Sequence, residues 1–428
     1  MKNSVIIVSG GMDSITMLYE YQETIALGIS FDYGSNHNAK EIPLAEMHCE
    51  RWLLVSWIQR NTKNKNMKRF FISFIAMCLC IVASAQVKVE VSETVELMAI
   101  LSRTAGYREY SMDLGGKYTE ETEVWFGKYK KHPTVVYWQG MKPKYGIGYD
   151  AVMSMAVHLA VDGKTVKRIG EKSDLEKRWA EVDVDAFMEK LNQFYRDTKF
   201  HEFFVQHKAF YTEGLKAYNE RVMPYFHQDW YAKFYGTEPT ERFGVIIGFT
   251  NGGGNYGSSR QLVGQPKEVF AICGYAVNAE TGGVFEDGMS YASTLIHEFN
   301  HSFVNPLMDD AENQRLLLTT GKFLYTLSRR AMMAQAYSNE TTVLNESVVR
   351  AAVILYMQEN GFDAKAVGNE LSDQISCGFN WMPELLTVLR YYTKNRDTYK
   401  TLKDYYPEVA KCLNEYVTKE RQRIMQSL

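Results

Sequence analysis

No Cys-x-x-Cys pair occurs among the six cysteines of this 428-residue chain, which excludes a cysteine zinc site built on that spacing. An excess of basic charge is also missing. Forty-eight Lys and Arg stand against 51 Asp and Glu, a formal charge of −3, so the chain carries no overall electrostatic footprint for nucleic acid. The apolar run from Phe70 to Val82 falls short of the roughly 20 residues that span a bilayer. From Gln86 onward there is no linker, low-complexity tract or internal repeat. What is abundant is core material: 46% hydrophobic and 13% aromatic residues, the composition of a folded globular protein.

The stretch most specific in its chemistry is Ile296-His297-Glu298-Phe299-Asn300-His301. Histidines four apart lie one turn apart on one helix face, so both imidazoles can reach a single metal ion, with Glu298 beside them to act on a bound water. Tyr291 to Ile296 suits a buried helix, and Asn305-Pro306 is its expected stop.

The first 85 residues follow a different pattern. Val5 to Val8 reads as a short buried strand, followed by Ser9-Gly10-Gly11-Met12-Asp13-Ser14 and a helical pattern, an arrangement that gathers backbone N–H groups around a phosphate. That loop, with Ser30-Phe31-Asp32-Tyr33-Gly34-Ser35-Asn36-His37, resembles the start of the 7-cyano-7-deazaguanine synthases, queuosine-precursor enzymes with a pyrophosphate loop for ATP. The resemblance covers residues 1–52 and lacks the rest of the nucleotide-binding sheet and the zinc-binding cysteine cluster of such enzymes. The expectation is a truncated fragment joined at a gene boundary. Residues 53–66 read as a patternless junction. Lys63, Lys65, Lys68 and Arg69 then precede the apolar run and Ala83-Ser84-Ala85, the build of a secretory signal peptide over residues 67–85 with Met67 as the start. A secreted or periplasmic protein is expected, with no stable membrane span after cleavage near Ala85. Cys49, Cys78 and Cys80 belong to these segments, leaving Cys273, Cys377 and Cys412 for at most one disulfide.

In the remaining domain, residues 86–428, Val87–Val91 alternates like a strand and Val95–Leu101 reads as a helix, as does Val152–Leu159. A long helical region follows from Asp174 to Tyr235. His201 and His207 within it are six apart, on opposite sides of a helix, and receive no metal role; His132, His158 and His227 read as core or surface residues. Strands are expected at Phe243–Phe249 and Val269–Val277, joined by a glycine-rich loop, Asn251–Gly257, read as a flexible hairpin or substrate lip. The strand before the metal helix could offer an edge to an extended peptide. Helices are expected at Gln314–Tyr337, Thr341–Gln358, Trp381–Tyr392 and from Tyr406. The predicted class is α+β: a short mixed sheet packed on the active-site helix, a helical N-terminal region and a mostly helical second half.

A catalytic zinc takes three protein ligands and leaves a position for water. The metzincin pattern requires Gly at 304 and His at 307, where Val304 and Leu307 stand. The third ligand is therefore expected from a later helix. Glu346 is the choice, sharing a face with Val349, Val353 and Tyr356; an ion pair with Arg350 is the competing reading, and Asp309, Asp310, Glu312 and Glu340 are fallbacks. With the signal peptide, the strand pair, His297 to His301 and the Asn345-Glu346 helix taken together, residues 86–428 resemble an uncharacterised family of secreted bacterial proteins with a zincin-type core. The resemblance implies a gluzincin-like fold and metallopeptidase chemistry. The expected function is a secreted Zn2+-dependent hydrolase of peptide or protein substrates, with Glu298 as general base and Tyr337 or Arg350 as oxyanion donor. Two alternatives stand: a catalytically idle secreted binding protein of zincin fold, and an ATP-dependent queuosine-precursor enzyme based on residues 1–52.

Overall fold

The computed structural model describes residues 4–7, 25–32, 55–60 and 87–427, and the chain divides into two units, Met1–Gln86 and Val87–Leu428. In the first unit, β1 (Ser4–Ile7), β2 (Ile25–Asp32) and β3 (Val55–Arg60) form a parallel sheet in the order β1-β2-β3. The third strand falls inside the segment read as a patternless junction, so ordered pairing extends past residue 52. The Ser9–Ser14 loop and the expected signal peptide lie outside the described residues.

The second unit is mixed α and β, predominantly helical, around one small sheet. Strands β4 (Lys88–Glu90), β7 (Arg242–Gly248), β9 (Glu268–Gly274) and β8 (Tyr256–Arg260) lie in that order. β4, β7 and β9 run parallel and β8 pairs antiparallel to β9. Val245-Ile246-Ile247 and Val269 to Gly274 are buried without alternation, as expected of strands covered on both faces. β8 is polar and closes one edge. Its sequence, Tyr256-Gly257-Ser258-Ser259-Arg260, carries no apolar alternation, which is why it read as loop. β5 (Leu159–Asp162) and β6 (Thr165–Arg168) form a separate two-stranded hairpin.

The front half holds α1 (Glu93–Thr104), α2 (Lys117–Phe126), α3 (Asp150–Val157), α4 (Val184–Asp197), α5 (Lys208–Arg221) and α6 (Asp229–Tyr235), with shorter turns between. The single long helical region expected from Asp174 is thus a string of short helices, interrupted where Lys199 takes a left-handed conformation and where Pro224 ends α5. The expected helix ending at Leu159 stops at Val157, because Leu159 enters β5.

α1 carries a buried carboxyl group. Glu96 accepts hydrogen bonds from Phe249 N (2.7 Å), Thr250 Oγ1 (3.0 Å) and Tyr118 OH (3.0 Å), and Tyr118 in turn meets Tyr211 OH at 2.7 Å. Burial pushes its pKa up to about 7, against the lowering effect of these donors.

The second half consists of α7 (Gly288–Asp309), α8 (Ala311–Leu327), α9 (Glu340–Glu359), α10 (Ala364–Ser376), α11 (Met382–Lys394) and α12 (Leu402–Ser427). α7 packs on β9, β8 and α9, and α9 also packs against α8, α10 and α11. α9 is buried almost all round, from Val343 to Met357, the mark of a central helix. α7 does not stop at Pro306. Proline removes one hydrogen bond, to the Ser302 carbonyl, but Asn305 and Pro306 face solvent while Leu307 and Met308 are buried and hold the turn in place. The helix ends at Asp310, which turns extended and caps α8 through Glu312 N and Asn313 N.

The glycine-rich loop is not a hairpin. β9 lies between β7 and β8, so the loop carries the chain across it. Gly252 and Gly253 have positive φ; a Cβ on Gly252 would meet the Glu109 carbonyl oxygen at 2.9 Å, and one on Gly274 would meet the Gly253 backbone at 3.0 Å. Close backbone packing, not mobility, explains the glycines. Cys273, Cys377 and Cys412 are all free thiols.

Candidate metal centre

α7 begins at Asp287, whose carboxylate accepts from Ser290 N at 3.1 Å, and runs as an unbroken helix through His297, Glu298 and His301. α9 begins at Asn339, capped on Thr342 N at 2.9 Å, and presents Glu346 to α7. The donor atoms converge. His301 Nε2 lies 3.2 Å from His297 Nε2, His297 Nε2 lies 3.5 Å from Glu346 Oε2, and His301 Nε2 lies 3.4 Å from Glu346 Oε1. Among the described residues this is the one group of three or more His, Cys, Asp or Glu side chains able to hold a metal ion.

These separations, with each Glu346 oxygen facing one imidazole, leave room for a first-row divalent ion such as zinc. Zinc–nitrogen and zinc–oxygen bonds of about 2.0–2.1 Å at tetrahedral angles put neighbouring donors about 3.3 Å apart, close to all three separations. Two imidazoles and one carboxylate are also a common catalytic zinc ligand set. The imidazoles stay partly open to the cleft, with side chains 20% and 23% exposed, whereas Glu346 is 7% exposed.

Burial and the Glu346 carboxylate set the charges at the centre. Burial pulls His297 down to about 3. Burial also opposes a charge on His301, but the hydrogen bond and charge of Glu346 outweigh it and lift the imidazole to about 9. For Glu346 burial favours the neutral acid, yet His297, His301 and Arg350 together hold the carboxyl well below its usual range. Glu298 is pushed up to about 7 by burial. It faces β8, where the Gly257 backbone helps to lower its pKa, and a Cβ on Gly257 would lie 3.3 Å from Glu298 Oε2. Glycine at 257 lets the edge strand approach the acid this closely.

The competing ion pair of Glu346 with Arg350 is present, and it leaves the carboxylate facing both imidazoles. Its Oε2 also accepts from Arg350 Nε at 2.9 Å. Arg350 Nη2 donates to Tyr337 OH (2.7 Å) and Gln335 Oε1 (3.4 Å), Nη1 donates to Gln374, and the guanidinium lies 4.7 Å from the Phe379 ring centroid. The oxyanion role expected of Arg350 needs a donor free to turn into the cleft, and these partners engage all its nitrogens. Arg350 is a clamp on Glu346. Tyr337, whose pKa burial and Glu346 push up, keeps its hydroxyl proton.

The fallback ligands sit elsewhere: Asp310 caps α8 and faces Lys403 at 3.9 Å, Glu312 pairs with Arg315 at 4.0 Å, Asp309 is exposed, and Glu340 starts α9. His201 pairs with Glu93 (3.0 Å) and His207 with Glu121 (2.9 Å). His158 holds the Ser154 carbonyl at 2.7 Å and His132 caps Thr134 N at 3.2 Å. Sequence reasoning missed Asn305, whose Oδ1 lies 3.2 Å from His301 Nδ1. Its spacing of four from His301 was the available signal, since it puts both on one face.

Residues 87–412 match a protein family described as a domain of unknown function, DUF4932. The chain belongs to this family. Outside the DUF4932 region, a short N-terminal segment is similar to 7-cyano-7-deazaguanine synthases. The identity is 60% over 50 residues for the protein of Porphyromonas gingivalis strain ATCC 33277, covering 12% of this chain and 23% of that one. It is 45% over 56 residues for that of Desulfotalea psychrophila, covering 13% and 26%. The chain thus spans about a quarter of the length of these curated relatives. No solved structure matches it.

Proposed function

We propose that the DUF4932 unit is a zinc-dependent hydrolase acting on peptide bonds. The observation that carries this reading is the set of donor separations of 3.2, 3.4 and 3.5 Å among His297, His301 and Glu346, with Glu298 next to His297 and facing the edge strand. A sheet edge beside an HExxH helix with a carboxylate from a later helix is a zincin-like arrangement, and we carry that fold comparison as part of the proposal.

Zinc held there would supply Lewis-acid activation of a water and of the scissile carbonyl. His297 and His301, from successive turns of α7, and Glu346, from α9, would hold the ion. Glu298 accepts the proton of the attacking water and delivers it to the leaving amine nitrogen. Tyr337 is the candidate donor to the carbonyl oxygen as that atom gains charge. Arg350 positions Glu346 and Tyr337. β8, the exposed edge, offers backbone groups to an extended substrate; the strand directly before the metal helix, β9, is paired on both sides and cannot.

Export rests on the sequence pattern of Lys68-Arg69, the apolar run and Ala83-Ser84-Ala85, and we extend the proposal to a secreted or periplasmic protein. Among the described residues no helix is long and apolar enough to cross a membrane. The test is cleavage of a broad peptide library by zinc-loaded protein, with Glu298→Gln as control. Zinc-dependent cleavage that the variant lacks supports the hydrolase. Stoichiometric zinc with no cleavage favours the catalytically idle binding protein instead.

A further inference from the structure

A cavity of about 200 Å³ opens at Ser290, Tyr291 and Thr294 of α7, in the turns that precede His297. Leu114, Tyr275, Ala276 and Tyr291 give it an apolar lining, with Asn255 and Thr294 among its polar contributors, and no charged side chain lines it. Thr294 fixes its place relative to the chemistry. At 100° per residue, Thr294 lies on the stripe of α7 shared by His297, Glu298 and His301, about 6 Å along the axis from Glu298. Side chains on one face of an extended peptide recur at roughly 6.6–7 Å, so a substrate lying along β8 with its scissile bond at Glu298 brings an adjacent side chain to this cavity.

The walls are rigid. Tyr275 packs on Phe249 at 4.6 Å and Phe285 at 5.6 Å, and Tyr291 on Phe285 at 4.8 Å, between ring centroids. Phe285 is buried at φ 51°, a left-handed conformation that is strained for such a residue and persists where packing dictates it. Gly253 keeps the opposite wall low: a Cβ there would meet Leu114 Cδ1 at 2.6 Å. The volume is below the roughly 300–1,000 Å³ of pockets that enclose whole small molecules, and suits one side chain.

We propose that this cavity is a specificity pocket for one uncharged, apolar side chain of leucine to phenylalanine size next to the scissile bond. The inference rests on the hydrolase reading. Burying such a side chain contributes about 1.5–3 kcal/mol, hence a preference of roughly tenfold or more over glycine.

The probe is a series of N-acyl amino-acid hydroxamates carrying Gly, Leu, Phe, Lys or Glu side chains, with Kd measured by calorimetry on the zinc-loaded full chain. The expected order has Leu and Phe at least about tenfold tighter than Gly, and Lys and Glu no tighter than Gly. Ala276→Phe, or Thr294→Met should that variant fail to fold, fills the cavity and brings Leu and Phe down to the Gly value while zinc stays bound. Equal affinities across the series, or a preference that survives both variants, would overturn the pocket alone. Failure of every hydroxamate to bind zinc-loaded protein would overturn the metal centre and the pocket together.

Discussion

Arg350 Nε reaches Glu346 Oε2 at 2.9 Å from one turn further along α9, while the same carboxylate faces His297 and His301 on α7. One acid thus meets a guanidinium of its own helix and both imidazoles of α7. Outer partners of this kind fix a ligand's rotamer and tune its basicity, and their loss commonly costs about 10–100-fold in metal affinity or activity. Arg350→Met is therefore expected to weaken zinc binding about 10–100-fold in competition with a chelator. Tyr337→Phe should leave affinity nearer to wild type, because the Arg350–Glu346 contact remains. Equal affinity in wild type and Arg350→Met would remove the clamp from the account.

Glu298 contributes no donor to the ligand group, although it neighbours His297. Glu298→Gln should therefore retain zinc while peptide cleavage falls by about 10²–10⁴-fold, the usual contribution of a positioned acid–base group. Metal analysis and turnover on the same preparation check this. Full turnover with zinc retained would exclude Glu298 as the base.

Gly257 offers a separate handle on the same acid. It lies on an exposed edge and lacks a positive φ, so Gly257→Val is compatible with the strand. The new side chain would crowd Glu298 Oε2, and displacing a reacting group by about 1 Å can cost up to 10²-fold. The expected result is reduced kcat/KM with undiminished zinc content. Unchanged kcat/KM would mean that the edge strand does not constrain the acid.

Glu96 predicts a pH dependence remote from the metal centre. Its pKa rises from 4.5 to about 7 on folding, so between these values the folded chain binds more protons than the unfolded one. Stability contributed by the protonated acid is present below pH 4.5 and is lost as pH rises through 7, a change of about 3 kcal/mol. Glu96→Gln mimics the protonated acid without titrating. Chemical unfolding of both proteins at pH 5 and pH 8 should show the variant gaining relative to wild type at the higher pH. A constant difference between the two would refute the shift.

The convergence of His297, His301 and Glu346 was legible because it follows helix periodicity. The spacing of His297 and His301 specifies a common face, and the apolar stripe of Val349, Val353 and Tyr356 turns Glu346 inward. The continuous runs in β7 and β9 were legible as buried strands for a similar reason: nothing polar interrupts them. β8 was missed because an edge strand beside an acid needs Gly257 and tolerates Ser258 and Ser259, residues with no strand signal. The β5–β6 hairpin was missed although Asp162-Gly163 marks its turn, since four-residue strands show too few alternations to stand out. α7 outruns its apparent stop because burial of Leu307 and Met308 outweighs the one hydrogen bond that Pro306 forgoes. Asn305 and the glutamines around Arg350 are uncharged, and only the folded chain brings the glutamines to the centre.

Metal content of the purified full chain and of His301→Ala, measured by mass spectrometry after exhaustive dialysis, tests the central claim most directly. The account predicts about one zinc ion per chain in wild type and only a small fraction of that in the variant. Equal metal content in the two proteins, or none in wild type after zinc loading, would contradict it.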